Sequence, residues 1–154
     1  MSYLPYVENF RYLLAYQKAK ALAKEIFQLT KTFPREEAYS LTDQIRRSSR
    51  SIGAQIAEAW GKRSYEKHFI SKLTDADSEQ LETQHWIDTA TDCSYLNTEQ
   101  KSSLIKSCEE IGRLVGGMIA KSDKFCSTTP ISVVREDAAE YFTRNKKDEE
   151  LTEN

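Results

Sequence analysis

The sequence predicts an all-α protein, an up-down-up-down antiparallel four-helix bundle. Three observations predict this fold: 154 residues suffice for one core, 5 glycines and 3 prolines leave little material for turns, and apolar residues recur at helical steps of three and four. Short connections between long helices favour antiparallel neighbours. We place the bundle domain at residues 1–126 and a polar acidic tail, disordered or forming a short helix, at residues 127–154.

The first two helices are predicted over residues 9–32 and 36–60. The seam of the first comprises Ala15, Ala19, Leu22, Ile26, Leu29 and Phe33. Pro34 ends this helix because proline disfavours helical backbone in the preceding residue and supplies no N–H donor. The stripe of the second comprises Leu41, Ile45, Ser48, Ile52, Ile56 and Ala59. We expect the second helix to end near Gly61, in the left-handed conformation common just past helix ends.

The third and fourth helices are predicted over residues 65–93 and 98–123. Ser64 is a candidate cap for the third, whose seam has a polar middle and comprises Phe69, Leu73, Ala76, Gln80, Thr83, Ile87 and Ala90. Asn97, followed three residues later by Gln100, predicts a capping box at the start of the fourth. The fourth seam comprises Leu104, Cys108, Ile111, Val115 and Met118. Gly112 and Gly116 form GxxxG, which indicates close packing of a neighbour.

Charge is unevenly distributed, although the net charge is only −2. Between Gln44 and Lys72 lie seven basic and two acidic side chains, a balance of +5. The candidate nucleic-acid-binding residues are Arg46, Arg47, Arg50, Lys62, Arg63 and Lys67. Cations that neutralise phosphates release counterions and add affinity for any nucleic-acid sequence. The alternative is a solvated face with pairs four residues apart, Asp43 with Arg47 and Glu58 with Lys62.

Residues 75–92 hold six acidic side chains and no Lys or Arg. A basic patch on one subunit facing this acidic segment on the next would make a head-to-tail contact, which closes into a ring if the rotation allows. The acidic segment or the tail could instead engage a partner protein. Both assemblies are compatible with the sequence.

A second stripe in the second helix is polar and comprises Gln44, Arg47, Ser51, Gln55 and Glu58. Its members lie beside the apolar stripe, so they can hydrogen-bond neighbouring helices with Arg47 and Glu58 as charged ends. An ordinary solvent boundary explains the stripe equally well.

No pattern in the sequence predicts catalysis. Glu82 and His85 have the ExxH spacing of di-iron bundles, but His68, the other histidine, has Tyr65 three residues before it, and such sites need two ExxH motifs. GxSxG, HExxH and glycine-rich phosphate loops are missing. We therefore expect no catalytic residue, no metal, no cofactor and no small-molecule substrate.

The compartment predicted from the sequence is the cytoplasm. No apolar run approaches the roughly 18–20 residues of a membrane span, and no leader pattern precedes Phe10. Cys93, Cys108 and Cys126 form no CxxC pair, so neither a disulfide framework nor a zinc ribbon is indicated.

One segment, from Phe33 to Glu58, resembles a known family. It reads FPxxExYxLxxQxRRxxxSIxxxIAE and is similar to the bacterial four-helix bundles encoded in 23S rRNA intervening sequences. The likeness extends over about residues 10–126, with Gln55 where the family often has Asn and Ala59 where it often has Gly. It implies a non-catalytic ring, typically a homopentamer. A related branch comprises nucleic-acid-binding accessory factors of diversity-generating retroelements.

Together these observations predict a cytoplasmic homo-oligomer that binds RNA or DNA through pooled basic patches. The alternative is a protein-interaction scaffold without nucleic-acid binding.

Overall fold

The computed structural model describes residues 8–126, within which the regular elements are all helical. The four long helices are α1, Leu14–Thr30; α2, Leu41–Gly61; α3, Glu66–Asp92; and α4, Thr98–Ala120. A one-turn helix, α5, follows at Ser122–Phe125, and 3₁₀ turns precede α1 at Phe10–Tyr12 and α2 at Arg35–Glu37. The predicted tail, residues 127–154, lies outside the described residues.

The helices surround one core in chain order. α2 packs against α1 and α3, and α4 packs against α3 and α1, whereas the diagonal pairs α1 with α3 and α2 with α4 have no Cα atoms within 8 Å of each other. Because the connections are short, each helix runs antiparallel to the next. The predicted four-helix bundle is confirmed.

The predicted seams form the buried core. Every seam residue of α2, α3 and α4 is buried, and so are those of α1 except Leu29, which is half-buried. The polar middle of the α3 seam is buried with hydrogen-bond partners: Thr83 Oγ1 lies 3.0 Å from Ser48 Oγ on α2 and 2.8 Å from the Glu79 carbonyl. Buried polar groups are stable when bonded in this way.

The first two helices begin later than predicted. The Asn9 side chain accepts the Arg11 N–H at 3.0 Å and caps the first 3₁₀ turn, and Leu13 is extended, so α1 begins at Leu14 rather than at residue 9. Before α2, the Glu37 carboxylate accepts the Leu41 N–H at 3.1 Å. The Glu37 carboxylate thus satisfies the Leu41 N–H, one of the first backbone N–H groups of a helix, which have no partner within the helix.

The predicted end of α2 near Gly61 and the capping box of α4 are confirmed, whereas the left-handed conformation of Gly61 and the Ser64 cap of α3 are wrong. Gly61 is the last residue of α2 and has no positive φ. Tyr65, not Ser64, is the N-cap of α3, and it makes no side-chain cap bond. The capping box of α4 is present, since Asn97 Oδ1 accepts the Gln100 N–H at 2.8 Å and Gln100 Oε1 accepts the Asn97 N–H at 2.9 Å.

Among the helices of residues 8–126, none combines the length and apolar character that crossing a membrane requires.

Candidate nucleic-acid interface

Phe27 of α1 lies beneath three cations. Lys31 Nζ, Arg46 Cζ and Arg50 Cζ lie 4.9, 4.9 and 5.5 Å from the centroid of its ring. Cations within about 6 Å of an aromatic face are attracted by its quadrupole. The ring thus brings Lys31, at the end of α1, together with Arg46 and Arg50 of α2 on one surface.

Arg46 is held in place by a chain of hydrogen bonds. Its Nε donates to Thr30 Oγ1 at 2.8 Å, and the buried Thr30 hydroxyl lies 2.7 Å from the Ile26 carbonyl, to which it donates. Because Thr30 is only 3% exposed, this contact fixes the Arg46 side chain relative to α1. Arg50 and Lys31 are exposed, and within residues 8–126 neither donates a hydrogen bond to a buried side chain as Arg46 does.

An open groove adjoins this cluster. It has a volume of about 400 Å³ and is lined by Lys20, Ala21, Ala23, Lys24, Phe27 and Arg50. Alanine and phenylalanine provide apolar floor, and the lysines and Arg50 provide charge. We call the five cations around Phe27 and the groove the α1–α2 basic face: Lys20, Lys24, Lys31, Arg46 and Arg50.

The α1–α2 basic face has no carboxylate partner within residues 8–126. None of its five cations lies within 4.0 Å of a carboxylate oxygen there. By contrast, Lys18 Nζ lies 3.5 Å from Glu110 Oε1 and Lys101 Nζ lies 3.1 Å from Asp88 Oδ1. The face therefore keeps its positive charge available to an external anion.

The six predicted cations lie in three places. Arg46 and Arg50 belong to the α1–α2 basic face. Arg47 is exposed and lies toward α3, close enough to Glu79 for its positive charge to favour the ionised carboxylate. The pKa of Glu79 is raised overall, first by burial of the side chain and then by its hydrogen bond with Glu82, while Ser51 opposes the rise.

Lys62, Arg63 and Lys67 lie at the corner between α2 and α3. Arg63 Nε donates to the Trp60 carbonyl at 2.9 Å, and its Cζ lies 3.5 Å from the centroid of the Trp60 ring. Lys62 and Lys67 are exposed. At 1.5 Å per helical residue, this corner is about 18 Å along α2 from Arg50.

Sequence reasoning missed four members of the candidate site. Lys20, Lys24 and Phe27 on α1 and Lys31, the residue after its end, recur at steps of four, three and four, so they follow one face of the helix. The three lysines lie outside residues 44–72, the basic segment of the sequence. The helical spacing of these cations around an off-seam aromatic was the signal.

The polar stripe lies along the α2–α3 boundary. Glu58 Oε2 lies 2.9 Å from Lys72 Nζ on α3, and hydrogen bonding and charge from Glu58 raise the pKa of Lys72. The local pairs expected from spacing, Asp43 with Arg47 and Glu58 with Lys62, do not form within residues 8–126. Glu58 instead reaches the neighbouring helix.

The other stripe members give a mixed picture. Gln44, Ser51 and Gln55 are half-buried, whereas Arg47 and Glu58 are exposed, so those two charges are not a buried pair. Gln55 Oε1 is buried without a hydrogen-bond partner among the described residues. The stripe is therefore partly a network and partly a solvent boundary.

Cys108 is buried, whereas the Glu82 and His85 side chains of the ExxH spacing are exposed. Burial raises the pKa of the Cys108 thiol to about 12, so this thiol is protonated at neutral pH. The His85 ring packs edge-on against Trp86 at 4.7 Å. The described residues contain no group of three His, Cys, Asp or Glu side chains placed to hold a metal ion.

Comparisons with known proteins agree with this architecture. The model of the family described as 23S rRNA-intervening sequence protein matches residues 11–117. A crystal structure of a protein with unknown function from the S23 ribosomal protein family of Bacteroides thetaiotaomicron is 32% identical, with a TM-score of 0.64. The alignment covers 70% of this chain and 96% of that chain. Curated proteins give no significant match.

Proposed function

The chain belongs to the 23S rRNA-intervening sequence protein family, and from this premise we propose that it is a non-catalytic homo-oligomer that binds RNA or DNA backbones through pooled basic faces. The observation that carries the proposal is the α1–α2 basic face, whose five cations lack carboxylate partners among the described residues. Each cation that neutralises a phosphate releases condensed counterions and so adds affinity.

The net charge of the chain explains why the basic faces of several subunits would have to act together. A subunit with a net charge of −2 attracts a polyanion weakly, whereas several faces held in one assembly engage a long strand together and gain avidity. The family resemblance implies a ring, typically of five copies. The corner cations Lys62 and Lys67 would add a second cationic surface to each copy.

Fluorescence anisotropy with labelled mixed-sequence RNA and DNA tests the proposal. We expect binding at about 50 mM salt and a steep loss by about 200 mM. Lys20→Glu combined with Lys24→Glu is expected to reduce the slope of log affinity against log salt by about 1.4–1.8, because two phosphate contacts are lost.

The matched control is Lys106→Glu combined with Arg113→Glu. Both residues are exposed on α4, diagonal to α2, and the control changes the net charge by the same amount. Arg46→Glu combined with Arg50→Glu is expected to weaken binding with helicity intact. Absence of binding by the wild-type protein at about 50 mM salt, where phosphate contacts are favoured, would show that the proposal is wrong.

The acidic surface of α3 supports the second candidate, a protein-interaction scaffold. Asp75, Glu82, Asp88 and Asp92 are exposed, and Leu81 among them is 55% exposed. An acidic surface with an exposed apolar side chain suits a basic partner protein. If the scaffold is the correct function, the variant with Lys20→Glu and Lys24→Glu still binds the partner protein. Neither this variant nor the wild-type protein then binds nucleic acid.

A further inference from the structure

Phe27 is an aromatic residue that lies outside the hydrophobic core. It is half-buried, and it is not among the side chains packed against that core either. It also lies off the α1 seam, next to the buried Ile26. Its ring forms part of the open groove instead.

The groove combines two kinds of surface that a phosphate ligand alone would not use. Lys20, Lys24 and Arg50 line it with charge, whereas Ala21, Ala23 and Phe27 line it with apolar atoms. Phosphate contacts need the cations only. The apolar floor suits the flat face of a nucleobase, since bases stack on aromatic side chains and along apolar surface.

From this juxtaposition we infer that the α1–α2 basic face binds single-stranded nucleic acid, with one base stacked at Phe27 and the neighbouring phosphates on Lys20, Lys24 and Arg50. The inference rests on the proposed function. In a duplex the base faces are covered by stacking within the helix, so Phe27 reaches a base only in an unpaired strand.

The contacts of the cations allow this arrangement. Arg46 is anchored to Thr30 through its Nε–H. Arg50 and Lys31 are exposed, and their long side chains can rotate from the ring to phosphates when a base arrives.

The length of the α1–α2 basic face determines how many nucleotides it can contact. Lys20 and Lys31 are separated by about 16 Å at 1.5 Å per residue. A stacked strand rises about 3.4 Å per nucleotide, so the face spans about five nucleotides. A probe of about 12 nucleotides therefore covers one face with margin.

The test compares 12-nucleotide single strands of RNA and DNA with their duplexes, by anisotropy at one salt concentration. We expect the wild-type protein to bind single strands at least about 5-fold more tightly than duplexes. Phe27→Leu keeps an apolar side chain but removes the ring. We expect it to weaken single-strand binding by about 5- to 150-fold and duplex binding much less, because a duplex gains no base stacking at the ring and loses only the positioning of the cations.

Two further variants make the result specific. Phe27→Tyr keeps the ring and is expected to retain single-strand preference. Tyr39→Leu is the matched control, since Tyr39 is 98% exposed and does not line the groove. Far-ultraviolet circular dichroism checks that each variant is helical. The ratio of the affinities of the wild-type protein for single strands and duplexes tests the inference without any variant.

The outcomes separate this inference from the proposed function. Equal affinity of the wild-type protein for single strands and duplexes, or equal losses on both for Phe27→Leu, overturns the stacking. If Lys20→Glu with Lys24→Glu still weakens both forms in that case, the proposed function stands without it. Failure of the wild-type protein to bind either form overturns both.

Discussion

Ser94, at the end of α3, has the left-handed backbone that usually selects glycine. Its φ is 61°, and it alone is positive among the residues of 8–126. The Tyr95 N–H donates to the Ala90 carbonyl at 2.8 Å, and the Ser94 N–H donates to the Thr91 carbonyl at 2.9 Å. This pair of bonds is the Schellman motif, which satisfies the last carbonyls of a helix.

Replacing Ser94 with glycine is therefore expected to stabilise the fold. Ser94→Gly removes the clash between Cβ and backbone, and we expect the free energy of unfolding to rise by about 0.5–1 kcal/mol. The control is Ser102→Gly, at an exposed position inside α4, where we expect a loss of about 0.5 kcal/mol. Urea unfolding of both variants at equal protein concentration measures the difference, and a destabilised Ser94→Gly would contradict it.

At the scale of elements, α4 has glycines in two different environments. A Cβ at Gly112 would lie 3.0 Å from Gln80 Nε2 and 3.4 Å from Asp77 Oδ1, whereas a Cβ at Gly116 would meet nothing within 4 Å. Gln80 is buried, donates to Asp77 at 3.0 Å and accepts from Gln84 at 2.7 Å. Within one chain, the close approach that GxxxG predicts thus occurs at Gly112.

We expect opposite effects from alanine at these positions. Gly116→Ala gains helix propensity without crowding, so the free energy of unfolding should rise by about 1 kcal/mol. Gly112→Ala makes the same gain but crowds a hydrogen-bonded side chain, at a cost of about 1–3 kcal/mol, so a net loss of up to about 2 kcal/mol is expected. Thermal unfolding compares the two, and equal shifts in Tm would show that α3 and α4 are not tightly packed at Gly112.

The helices were predictable from the sequence where periodicity or a local capping motif determines them, but the starts of α1 and α2 and the relative rotation of the helices were not. Ile45, Ile52 and Ile56 recur on one face and are buried as expected. The start of α2 depends on Glu37, whose carboxylate also accepts the Tyr95 hydroxyl at 3.2 Å from 58 residues away. Such a long-range contact has no local signature.

The candidate site was predictable in part for the same reason. Arg46 and Arg50 are one turn apart and so share a face of α2, as spacing alone indicates. Their position over Phe27 depends on how α1 is rotated against α2. The basic segment of the sequence also groups Arg47 with Arg46 and Arg50. The position of Arg47 around α2 instead places it near Glu79 of α3.

At the scale of the whole molecule, the proposed function requires several copies. Light scattering at micromolar concentration is expected to give a mass well above the 17.7 kDa of one chain, and about 88 kDa for a ring of five. If basic and acidic surfaces meet between copies, about 1 M salt should lower the mass because screening weakens such contacts. A monomer at low and high salt would remove the basis for pooling.

Lys20 and Lys24 of the α1–α2 basic face lie on α1 and Lys31 follows its last residue, whereas the acidic segment lies on α3, the helix diagonal to α1. Opposite charges on opposite sides give the bundle an electric dipole across its short axis. In the field of a polyanion such a dipole experiences a torque that turns the cationic side forward before contact. The orientation of the first encounter would thus be selected at long range, and it would fade as added electrolyte shortens the reach of the field.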